Sequence, residues 1–122
     1  MLTDVQWLAD PRNAEKVRIV DMRSADAYKA GHIPGAVLLD AGALRNSEER
    51  FTYLPRPDVF AKTMEAAGIG NDTHVVAYCD EGGRHAARIW YLLNAFGHKK
   101  VTLLNGGWAT WQAMKLPVTD LV

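Results

Sequence analysis

Val75-Val76-Ala77-Tyr78-Cys79-Asp80-Glu81-Gly82-Gly83-Arg84-His85-Ala86-Ala87-Arg88 is the stretch on which the fold of this chain turns. His74 to Tyr78 is short, aliphatic and partly β-branched, the mark of a strand covered on both faces. Gly82 and Gly83 allow a tight loop. From Ala86 to Phe96 the apolar residues Ile89, Leu92, Leu93 and Phe96 recur at spacings of three and four, which predicts a helix stopped by Gly97. A strand that runs through a loop directly into a helix sets Cys79 beneath converging backbone N–H groups, an anion site reinforced by the helix N-terminus. A thiol in that position ionises more readily, and the thiolate is the nucleophile. Arg84 adds a planar cation able to hold an oxyanion.

The flanking sequence repeats the pattern. Val17 to Val20, ending at Asp21, reads as a strand, as do Ala36 to Leu39 and Val101 to Leu104. Ser24 caps a helix through Tyr28 that stops at Gly31. Pro57 and Asp58 open another, carrying Phe60, Met64 and Ala67 and ending at Gly68, and Trp108 to Met114 forms a last one. Strands alternating with helices predict a three-layer α/β/α domain with a mainly parallel central sheet. Residues 1–122 are too few for more than one such domain. The polar, proline-bearing stretch from Arg45 to Arg56 reads as a surface excursion. Functional groups in such sheets collect beyond the C-terminal strand ends, here Asp21, Asp40, Cys79 and Asn105.

Composition narrows the function. Fourteen basic and fourteen acidic residues cancel, so net charge points to no nucleic-acid partner. The longest greasy run, Ile89 to Leu93, is far too short to span a bilayer, and no signal peptide is evident at Met1-Leu2-Thr3-Asp4. One cysteine excludes an internal disulfide and fits a reducing, cytoplasmic setting. It also excludes multi-cysteine zinc sites, and His32, His74, His85 and His98 lack ligand spacing, so no metal is expected.

Cys79 is the candidate catalytic residue, and Asp80, Glu81, Gly82, Gly83, Arg84 and His85 are candidates for substrate binding. Two carboxylates beside the thiol oppose its ionisation if they point inward, and do not if they face solvent. His85 reads equally as a solvated histidine at the helix start. Asp21 and Arg23 are supporting residues, a polar pair or cap fixing the strand end near the loop. His32 reads as a hydrogen-bonding group of a turn. Trp90, Trp108 and Trp111 read as core or cover, with Trp108 placed also to line the pocket mouth. Cys79 and Arg84 bracket a six-residue loop, which encloses a smaller anion pocket than the seven-residue Cys-x5-Arg loop of cysteine phosphatases. A phosphatase or arsenate reductase is thereby the less favoured chemistry.

Several motifs together resemble the rhodanese family over nearly the whole chain. Asp21-Met22-Arg23 resembles its Asp-x-Arg element, and Gly31-His32-Ile33-Pro34-Gly35-Ala36 matches its Gly-His-Ile-Pro-Gly-Ala signature. Cys79 to Arg84 falls at its active loop, and Phe96-Gly97-His98 with Leu104-Asn105-Gly106-Gly107-Trp108 resembles its closing motif. The resemblance implies a thiosulfate- or 3-mercaptopyruvate-type sulfurtransferase. Cys79 would take a sulfane sulfur from a small anionic donor, carry it as a persulfide, and pass it to cyanide, a thiol or a protein, with no cofactor. The likeness is closest to one half of two-domain sulfurtransferases. Tyr78 to Gly83 followed by Ala86 to Trp90 looks like their non-catalytic N-terminal half, where an aspartate usually stands at the place of Cys79. That likeness keeps open the alternative of a non-catalytic binding or regulatory module.

Overall fold

The computed structural model describes residues 2–39, 57–80 and 84–121, the side chains of residues 84 and 85 excepted. Its centre is the strand Val75–Tyr78 (β4), all four residues of which are buried. Successive strand residues point to opposite faces. Val75 and Ala77 accordingly enter one core cluster, and Val76 and Tyr78 the other. The first cluster is closed by helices Pro57–Ala66 (α4) and Arg84–Ala95 (α5), through Phe60, Met64, Ile89, Leu92 and Leu93. The second is closed by Val5–Ala9 (α1) and Gly107–Ala113 (α6), through Val5, Leu8 and Trp111. Helices therefore cover both faces, and the three-layer expectation holds.

The described sheet has five strands, all parallel. Leu2–Thr3 (β1), Arg18–Asp21 (β2), Val37–Leu38 (β3) and Val101–Leu104 (β5) join β4 in the order β1-β5-β4-β2-β3. The register pairs Asp21 with Tyr78 across β2 and β4, and Val75 with Val101 across β4 and β5. The chain leaves β2 toward β3 at one edge, then leaves β4 toward β5 on the other side. The strand order thus reverses between β2 and β4, and a crevice opens beyond their C-terminal ends. Asp21 closes one of these strands and Tyr78 the other, with Cys79 next in sequence.

The four expected strands and four expected helices are present, most with shifted bounds. The helix capped by Ser24, Ala25–Ala30 (α3), has that hydroxyl accepting from the Ala27 N–H and ends at Gly31. β3 is two residues rather than four, and α5 starts at Arg84 rather than Ala86. Three short elements were not expected: β1, α1 and Pro11–Ala14 (α2). Asp40 and the stretch from Arg45 to Arg56 lie outside the described residues.

Candidate active site

Asp21 and Arg23 form a buried ion pair at the end of β2, with side chains 0% and 3% exposed. Arg23 Nη2 lies 2.7 Å from Asp21 Oδ2, Nε reaches both carboxylate oxygens at 3.1 Å, and the Arg23 backbone N–H donates to Oδ1 at 2.8 Å. Tyr78 Oη donates to Oδ2 at 2.6 Å. Burial, and then the charge and hydrogen bond of Asp21, push the Tyr78 pKa far up, so it stays a neutral donor. Burial pulls the Arg23 pKa down, but its hydrogen bonds and attraction to Asp21 more than offset this and leave it raised. The pair expected to fix the strand end is thus a buried, hydrogen-bonded cluster at the end of β2.

The Gly31 to Ala36 segment docks onto the same cluster. Arg23 Nη2 donates to the Gly31 carbonyl at 2.6 Å, the Ile33 N–H donates to Tyr78 Oη at 3.2 Å, and Tyr28 Oη donates to the Ala36 carbonyl at 2.8 Å. Gly35 takes φ +87°, where a side chain is strained. His32 hydrogen-bonds back to α3 rather than within the turn: its Nδ1 lies 2.8 Å from the Tyr28 carbonyl, its ring stacks on Tyr28 at 3.8 Å, and its backbone pairs with Thr119.

Cys79 follows β4 directly and is only 2% exposed. Its sulfur faces the start of α5 rather than open solvent, and the residue belongs to the core cluster beneath that helix. The Ala86 N–H points at Cys79 Sγ, 3.4 Å away. Ala86 is the third residue of α5, and the N–H groups of a helix's first turn have no partner within the helix, so this one is available to the sulfur. The same turn carries the positive end of the helix dipole, which favours a thiolate over a thiol. A cavity of about 340 Å³ lies beside Cys79, walled by Cys79, Asp80, Ala86, Leu103 and Gly107 among others.

Of the expected substrate-binding residues, Asp80 is half-buried at the cavity wall. Glu81, Gly82 and Gly83 lie outside the described residues. Arg84 and His85 are the first two residues of α5, with side chains outside the described part. Trp108 stands closer to the site than a core reading implies. Its ring lies under the Arg23 guanidinium at 3.9 Å and beside the Tyr78 ring at 6.0 Å, and its N–H donates to the Cys79 carbonyl at 3.2 Å. Trp111 is core, with Nε1 donating to the Pro117 carbonyl, and Trp90 is half-buried against the first cluster. The sequence signal for Trp108 was its place after Gly106-Gly107 at a strand end. Tyr78 carried no signal beyond its adjacency to Cys79.

Among the described residues no three His, Cys, Asp or Glu side chains gather as metal ligands, and no helix is long and apolar enough to cross a membrane.

Known proteins of similar sequence and shape agree with this architecture. The 3-mercaptopyruvate sulfurtransferase of Escherichia coli (strain K12) is 39% identical over 118 residues, covering 87% of this chain and 42% of that protein. The thiosulfate sulfurtransferase of Bos taurus is 35% identical over 134 residues, covering 98% and 45%. The chain thus spans about half the length of the curated relatives it matches. The crystal structure of SseA from Escherichia coli, described with the fold and mechanism of 3-mercaptopyruvate sulfotransferases, superimposes with a TM-score of 0.88 at 33% identity. That match covers 99% of this chain and 50% of SseA. The family model described as "Rhodanese-like domain" matches residues 4–114. With the parallel sheet, the strand-loop-helix around Cys79 and the docked Gly31 to Ala36 turn, these matches make the chain a member of the rhodanese-like domain family.

Proposed function

We propose that this domain is a sulfurtransferase that works through a persulfide on Cys79. The observation that carries the reading is the placement of Cys79, its sulfur against the Ala86 N–H at the start of α5 and the residue in the wall of a cavity. In this scheme the Cys79 thiolate attacks the outer sulfur of thiosulfate. A new S–S bond forms, the old one breaks, and sulfite leaves with its electron pair. With 3-mercaptopyruvate the C–S bond breaks instead, and the departing enolate takes up a proton to become pyruvate. Cyanide, a thiol or a protein thiolate then attacks the outer sulfur and regenerates Cys79. The balance needs no external oxidant, metal or cofactor. Residues 80–85 would seat the donor, with Arg84 holding its anionic end. The relatives named as sulfurtransferases support the reading, and the single cysteine suits a reducing cytoplasm.

The burial of Cys79 favours one second reading, a binding module without catalysis. Intact-mass measurement separates the two. Incubation with thiosulfate or 3-mercaptopyruvate is expected to add the mass of one sulfur atom, cyanide to remove it, and Cys79→Ser to show neither change. A wild-type protein left unmodified by both donors would overturn the proposal in favour of the binding module.

A further inference from the structure

The start of α6 meets the backbone of the cysteine. Gly107, its first residue, has φ +57°, and a Cβ there would lie 2.6 Å from the Cys79 carbonyl oxygen. Real Cβ atoms do not approach backbone oxygen that closely, so the contact requires glycine. The next residue, Trp108, donates its N–H to that same oxygen at 3.2 Å. The Trp108 ring is held in turn by Arg23, stacked at 3.9 Å, and Arg23 is locked by Asp21 and the Gly31 carbonyl. One carbonyl therefore receives a hydrogen bond whose donor is fixed by a buried ion pair from another strand. The side chain of the same residue carries the sulfur aimed at the Ala86 N–H.

From this geometry we infer that Gly107 and Trp108 are positioning residues for Cys79: they clamp its carbonyl and so hold its sulfur on the N-terminal amide of α5. The inference rests on the reading of Cys79 as a nucleophile. It adds that the reactivity of the thiol is governed from α6 and β2, outside the loop that follows the cysteine. Arg23 bears on the sulfur through Trp108. A guanidinium over an aromatic face is an attractive contact that strengthens when desolvated, which suits it to fixing a ring.

The test is the rate and pH profile of iodoacetamide alkylation at Cys79 in the intact chain, with thermal melts run alongside. Gly107→Ala is expected to slow alkylation at neutral pH about three- to tenfold, the range expected for loss of one hydrogen bond. It should also move the midpoint of the pH profile upward. Trp108→Leu removes the ring from under Arg23 and is expected to act in the same direction. Trp108→Phe restores a flat ring and should recover most of the loss, which a purely structural role for the side chain's bulk does not predict. Folded variants with wild-type rates and midpoints would overturn the inference, as would a native thiol that reacts only when the whole domain unfolds. Alkylation needs no sulfur donor. Shifts seen in a protein that never gains a sulfur would therefore sink the proposed function and leave the positioning intact.

Discussion

Replacing Asp21 by Asn isolates the buried charge without opening a cavity, because the two side chains have nearly the same shape. In the folded protein the carboxylate accepts from the Arg23 backbone N–H, from Nε and Nη2 of the guanidinium, and from Tyr78 Oη. Every buried side-chain nitrogen and oxygen among the described residues has a partner. An amide at position 21 keeps one acceptor but turns a donor toward the guanidinium or the phenol, and leaves the Arg23 cation unpaired in the interior. Breaking one side of a buried pair costs about 3–5 kcal/mol, and the retained oxygen places Asp21→Asn near the lower end. For a domain of this length about 1 kcal/mol corresponds to about 4 °C, so the melting temperature should fall by about 12 °C. Urea denaturation of Asp21→Asn, Arg23→Met and the double variant completes the cycle. With both charges gone, the double variant should be less destabilised than the sum of the singles by at least about 1.5 kcal/mol. A loss below about 1 kcal/mol for Asp21→Asn, or additivity of the pair within about 0.5 kcal/mol, would refute the reasoning.

Two further predictions concern the remainder of the domain. Leu92 is fully buried between α5 and the sheet, so Leu92→Ala should cost about 2–5 kcal/mol in urea denaturation; a cost under about 1 kcal/mol contradicts the packing described. Partial burial, and then the positive charges of Lys100 and His98, hold the His74 pKa below its ordinary 6.5. The unfolded chain therefore binds that proton more tightly, and stability should fall as pH drops below about 6.5, levelling once pH is under the folded-state value. His74→Gln should remove that part of the slope in melts between about pH 5 and pH 7, and an unchanged slope would count against it.

The legible parts of the fold were those whose signal is local. β5 matches its expected residues one for one, because Val101 to Leu104 is an aliphatic run with no competing periodicity. Ser24 and Gly31 bound α3 as read, since capping chemistry is written in single residues. β1 was missed because two residues make no pattern: Leu2 and Thr3 are a strand only through the edge that β5 offers at Leu103 and Leu104. α1 and α2 have five and four residues, too few for a helical period, although Asp4, Asp10 and Pro11 mark their starts. At the site, Cys79 and the Asp21–Arg23 pair were visible as a strand-loop-helix and as neighbours in sequence. The part played by Tyr78 and Trp108 was not. Tyr78 is 57 residues from Asp21, and only the register of β2 on β4 brings phenol and carboxylate together. Trp108 reaches Cys79 through its backbone, which residue type does not encode.

Because β1 pairs with β5, the first of the five described strands in chain order waits longest for its neighbour. Until Leu103 and Leu104 have been made, Leu2 and Thr3 have no strand among the described residues to pair with, and Val5 and Leu8 of α1 wait for Trp111. The nascent polypeptide can assemble β2, β3 and β4 while the segment carrying β1 and α1 remains a greasy, unseated arm. Parallel pairings between distant residues form slowly, and exposed apolar segments of that kind invite association between chains. Translation halted before β5 would therefore release a species prone to clumping. The segment after α6 adds a late stitch of its own, in which Thr119 and His32 exchange backbone hydrogen bonds at 2.8 and 2.9 Å.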